Sequence, residues 1–272
     1  MQSQDRLYRA VVDALARDRL TLPTLPEVAL GIRRLLRQED RVTAARLADE
    51  IMRDPAIAVR LLRVANSAAL RGGNRADTVQ QAVARLGFEY TRMLVDGLAL
   101  EQMFEARIPL IHSRMQAVWQ ESLRVAALAR ALAEQCTVLR CDQAMLAGLV
   151  YQVGALPILK MAEKQFADVQ SAEALDHTLE TLAPRIGRVV LQAWDFPQEL
   201  VDVPAQWPDV ARTHGGAADY ADVIAVAVFR LRGRDDALPA YQKLDLEPGF
   251  ELGAQGPLQG AFERALELLQ VR

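Results

Sequence analysis

Apolar residues recur at three- and four-residue steps through almost all of this 272-residue chain, and that period admits one class of fold. In residues 112–135, Met115, Val118, Trp119, Leu123, Ala126, Leu128 and Leu132 make one broad stripe. Similar stripes fall near 5–18, 27–38, 43–53, 55–69, 78–86, 88–105, 142–162, 172–195, 217–232 and 258–271. Alternating runs of β-branched and aromatic residues are scarce, and aromatics reach only 6%, which leaves little from which to build strands. The expected fold is all-α. At 51% hydrophobic, the chain can bury one elongated core or two packed helical lobes.

Local punctuation divides the helices. Thr43 ahead of Ala44-Ala45-Arg46 reads as an N-cap, and Asp54-Pro55 ends one helix and starts the next with Asp as cap and Pro at the tolerated first position. Arg71-Gly72-Gly73-Asn74 is a break, and Gly87 supplies a left-handed stop between two helices. A first lobe is expected to close near Ile108-Pro109, giving units at 1–108, 109–232 and 233–272. The last begins as an irregular connector rich in Gly and Pro and ends in a short helix.

Several function classes lose support at this level. The net charge of −3 gives no bulk attraction for nucleic acid. Residues 78–95 place two short helices about a glycine, as a helix-turn-helix does. The second offers Phe88, Met93, Leu94 and Val95 with only Arg92 as a base-reader, so packing is the better reading. Cys136 and Cys141 are separated by four residues rather than two, and read as small buried hydrophobes or a loop edge. The N-terminal residues have no apolar signal core, and no uninterrupted apolar run approaches the ~18–20 residues that span a bilayer, so the expected location is cytoplasmic with no membrane contact. Elbow, Walker and dinucleotide-binding patterns are absent from the sequence, and its three histidines, His112, His177 and His214, form no HxxxH, HExxH or His-Asp pair.

Six stretches remain. Leu22-Pro23-Thr24-Leu25-Pro26-Glu27 is a rigid lead into a helix; residues 53–68 form a helix ending in Asn66-Ser67; and residues 78–95 follow. Then come Val118-Trp119-Gln120-Glu121-Ser122, Ala147-Gly148-Leu149-Val150-Tyr151-Gln152-Val153-Gly154, and Ile186-Gly187 with Trp194-Asp195-Phe196-Pro197. In this order they resemble the HDOD family of bacterial signalling proteins over roughly residues 20–210. That resemblance implies a helical N-terminal lobe packed on a lobe shaped like an HD-type phosphohydrolase.

The resemblance also implies where HD metal ligands would stand. The first His would fall at Glu121, the His-Asp pair at Tyr151-Gln152, the next His at Ala183 and the last near Trp207-Pro208. Only Glu121 can ligate a metal, so neither a metal nor a cofactor is expected, and the vacated pocket reads as plugged core ahead of a small-ligand pocket lined by Tyr151, Gln152 and Trp207. The family implies a signalling or scaffold protein in bacterial networks that include cyclic-di-GMP signalling, two-component systems and motility. It would act through regulatory or signalling protein partners, alone or as a homodimer. The expected contact surface is the Arg60, Arg63, Asn66, Ser67 and Arg71 cluster, whose guanidinium groups suit carboxylates or phosphates. Two rivals stand beside it: a diverged metal-dependent phosphohydrolase, and a nucleotide-sensing module holding a cyclic dinucleotide.

Overall fold

The computed structural model describes residues 4–17, 19–37, 42–67, 70, 75–166, 169, 171–234, 237–250 and 256–270, and among them there are helices and no strand. The first group is α1 (Gln4–Ala16), α2 (Glu27–Leu36), α3 (Ala44–Ile51), α4 (Pro55–Ala65), α5 (Val79–Leu86) and α6 (Phe88–Met103). The second is α7 (Pro109–Cys136), α8 (Cys141–Val150), α9 (Ala155–Lys164), α10 (Ala172–Ala193), α11 (Gln198–Val201), α12 (Val203–Gln206) and α13 (Tyr220–Leu231). α14 (Pro239–Lys243) and α15 (Pro257–Gln270) complete the chain.

The caps lie where the side chains dictate. Thr43 accepts from the Arg46 N–H, and one Asp54 oxygen accepts from Ala56 and Ile57 with Pro55 next in line. Gly87, at φ 77°, stops α5 and starts α6. The Arg71–Asn74 break lies outside the described residues. Met93, Leu94 and Val95 are buried, so α6 is a core helix rather than a groove reader.

One hydrophobic core runs from Leu7 to Leu268. α7 is its axis, with α8, α9, α13 and α15 against it, while α6 joins the first group to α8. Two placements differ from the division by chain order. α1 packs chiefly on α9 and α10, where Leu7 and Val11 complete the core. The final unit is also less irregular than its Gly and Pro suggest: α14 docks on α13 through buried Tyr241 and Leu244, and α15 lies along α7.

The stripe over 142–162 is not one helix. It breaks into α8 and α9 across residues 151–154, where the backbone of α10 presses on the turn. A Cβ on Gly154 would stand 2.0 Å from the Ala183 carbonyl oxygen and 2.4 Å from the Gly187 nitrogen. The whole segment Cys141–Lys164 is long and apolar enough to cross a membrane by composition, but 83% of its most apolar window is buried inside the protein. It is core.

Candidate functional site

The five positions singled out by the HD comparison come together at the junction of four elements. Glu121 stands midway along α7, Tyr151 and Gln152 fill the α8–α9 turn, Ala183 faces them from α10, and Trp207 follows α12. A sixth residue, Arg232, arrives from the end of α13. Its Nε donates to Glu121 Oε1 at 2.7 Å, and Gln152 Nε2 donates to Glu121 Oε2 at 2.8 Å. The same amide nitrogen reaches the Tyr151 hydroxyl. Trp207 meets the Tyr151 ring edge-on at 5.4 Å, and the Arg232 guanidinium lies 5.5 Å from the Trp207 ring centre.

Electrostatics follow from this geometry. Burial pushes the Glu121 carboxyl up, but the Arg232 hydrogen bond and charge, with help from Gln152 and Tyr151, outweigh it and hold the group below its usual value. The Tyr151 phenol is driven well above its ordinary range, first by burial and then by the Glu121 charge, so it remains protonated. A divalent cation needs several anionic or imidazole ligands. Here Ala183 and Trp207 offer none, Tyr151 stays a phenol, and both Glu121 oxygens already accept from Arg232 and Gln152. The residues do not fit a hydrolase metal.

The pocket is not solid core either. Tyr151 is only 1% exposed and forms the floor, yet a cavity of about 310 Å³ opens over Gln152, Leu179, Pro184, Trp207, Phe229 and Arg232. Sequence reading missed Arg232 because the partner that gives it meaning lies 111 residues away.

The first-lobe cluster is partly consumed by the fold. Arg60 pairs with Glu101, and its Nε is buried without a partner among the described residues. Asn66, expected at the contact surface, instead clamps Ala76: Nδ2 donates to its carbonyl and Oδ1 accepts from its N–H, each at 2.8 Å. It also accepts from Arg85 at 3.1 Å. The Ser67 hydroxyl is buried without a partner among the described residues, Arg71 lies outside them, and Arg63 is exposed. Val59, one turn before Arg63 on α4, is exposed as well, and so is Met52 ahead of that helix.

Two constellations were not foreseen. Arg33 forks onto both Asp96 oxygens, at 3.2 and 2.7 Å, reaches the Trp194 carbonyl at 3.4 Å and covers the Phe196 ring at 3.7 Å. Trp194 Nε1 donates to the Pro23 carbonyl at 2.8 Å, so two of the sequence motifs touch across the lobes. The second gathers His214, Asp219 and Asp222, whose ligand atoms all lie within 4.8 Å of one another. Arg212 bonds both carboxylates, and Lys243 Nζ sits 2.8 Å from His214 Nε2. Two cations already balance two anions, and the cluster fastens α14 to α13.

The likenesses to other proteins agree with the all-helical fold. No curated protein matches the sequence. A crystal structure named "Putative metal-dependent phosphohydrolase" from Shewanella amazonensis SB2B superposes with a TM-score of 0.85 at 29% identity, covering 99% of this chain and 100% of that one. An HDOD domain protein with unknown function from Geobacter sulfurreducens has a TM-score of 0.61 at 20% identity, over 95% and 87% of the two chains. A signal transduction protein, named with the same qualifier, from Marinobacter aquaeolei VT8 has a TM-score of 0.62 at 23% identity, covering 93% of this chain and 59% of that one. At these last two identities the likeness is one of fold. The HDOD domain model matches residues 22–208, more than half the chain and all six motifs. The protein belongs to the HDOD domain family.

Proposed function

We propose that this protein is a non-catalytic signalling module that works by binding a regulatory or signalling protein. Membership of the HDOD family supports a signalling role. The observation that carries the non-catalytic reading is the Glu121–Arg232 pair: an internal guanidinium holds the one carboxylate that a metal could have used. The buried, protonated Tyr151 phenol and the amide of Gln152 offer neither a ready nucleophile nor a metal-bound hydroxide. Networks built on cyclic-di-GMP or phosphorelay are the setting the family suggests.

The contact surface is the outward face of α4, where exposed Val59 lies one turn before exposed Arg63 and exposed Met52 precedes the helix. A small apolar patch beside a cation suits an acidic, partly apolar partner surface. The experiment has two arms. Purified protein with added manganese is offered nucleotide phosphodiesters, and the expectation is no turnover. Turnover abolished by Glu121→Gln would overturn the reading. In the second arm, affinity capture from native lysate is compared between the parent and a Val59→Glu/Arg63→Glu variant of equal melting temperature. A reproducible partner lost in the variant is expected; failure to capture any, or equal capture by both, would count against the surface.

A further inference from the structure

The cavity above Glu121 has polar groups that the packing does not use. Gln152 is oriented through its nitrogen, which donates to Glu121 and to the Tyr151 hydroxyl. A carboxylate only accepts, so Nε2 must face Glu121 and Oε1 must face away from it. Gln152 lines the cavity, and no described residue donates to that oxygen. A second acceptor stands on α10. Pro184 has no N–H, so the Glu180 carbonyl one turn earlier has lost its helical donor, and both residues line the same cavity.

A donor is held beside them. Arg232 and Gln152 grip the two oxygens of one carboxylate, at 2.7 and 2.8 Å, which places guanidinium and amide next to each other at the cavity floor. Between and above them the walls are apolar: Val118, Leu179, Trp207 and Phe229. The charged groups lining or underlying the cavity, Glu121 and Glu180 against Arg232 and Arg234, sum to zero. A polyphosphate would gain no net attraction there. The volume of about 310 Å³ sits at the small end of ligand pockets.

We propose that this cavity binds a small, neutral, planar ring carrying an N–H beside a carbonyl, the edge of a lactam or cyclic imide. The N–H donates to Gln152 Oε1 and the carbonyl accepts from Arg232, while the ring lies against Trp207 and Leu179. Such a ligand gives the signalling module an input site where a hydrolase would have chemistry. The inference rests on the reading that these positions hold no metal.

Calorimetric titration of the full chain with uracil and with hypoxanthine tests it, with 1,3-dimethyluracil and inorganic phosphate as comparison probes. One of the two rings is expected to bind saturably, and dimethyluracil, which has no N–H to give, is expected not to. Gln152→Met should weaken binding about tenfold, the order of one net hydrogen bond. Leu179→Trp, which crowds the cavity and leaves every polar group in place, should remove it. Melting curves check both variants, and if Gln152→Met does not fold, Leu179→Trp decides. No saturable binding of either ring in the millimolar range would overturn the proposal. So would equal binding of dimethyluracil, tighter binding of phosphate, or indifference to the variants. Elemental analysis of the same sample separates the two levels. Stoichiometric metal would sink the non-catalytic reading beneath, whereas metal-free protein that ignores both rings sinks only the ligand.

Discussion

At the scale of single residues, Glu121 and Arg232 set the electrostatics of the candidate site. Their side chains are 31% and 39% exposed, so water screens the pair and it contributes only about 1 kcal/mol. Because the Glu121 value is depressed in the folded state, that contribution is complete above the ordinary carboxylate range and fades as pH falls through the depressed value. Arg232→Leu should therefore lower the melting temperature most near neutral pH, and the gap from the parent should narrow in acid, where a protonated Glu121 needs no cation. Melting curves across pH check this; a gap that widens in acid would contradict it. The sequence named Glu121, Tyr151, Gln152, Ala183 and Trp207 by their place among Gly and Trp landmarks. Arg232 carries no such landmark, and only the return of α13 to α7 reveals it. Asn66 misled for a related reason: its polar side chain was legible, but the Ala76 backbone it holds comes from the far side of a loop.

At the scale of elements, the helices interlock through buried polar joints and close backbone approaches. Arg33 is 8% exposed and Asp96 1%, so losing one partner strands a charge in the interior. Arg33→Met alone should cost about 3–5 kcal/mol, and adding Asp96→Leu should recover much of that. Denaturant titrations of the single and double variants measure it, and a double variant no better than the single would refute the coupling. Gly154→Ala tests the α9–α10 approach. The added methyl meets backbone rather than a movable side chain, so a loss of about 1–3 kcal/mol is expected in the same assay. Helical periodicity located most of these elements, including the caps at Thr43 and Asp54. It could not show that 142–162 divides in two, because α8 is buried on nearly every side and its apolar pattern runs on through the turn into α9.

At the scale of the molecule, a shared core makes the lobes one cooperative unit. Leu7 in α1 and Leu268 in α15 both belong to it, although they come from opposite ends of the chain. Calorimetry should show a single unfolding transition with matching calorimetric and van't Hoff enthalpies, and two separable transitions would contradict this. Chain order suggested three consecutive units, because apolar spacing reports which face of a helix is buried and not which neighbour buries it. The proposed non-catalytic reading rests on the positions that the HD comparison assigns to metal ligands, where the structure holds an ion pair, a phenol and an indole. Elemental analysis of protein incubated with manganese and desalted tests that most directly. The prediction is a metal content far below one ion per chain, unchanged by Glu121→Gln; one or more ions per chain, lost in that variant, would contradict it.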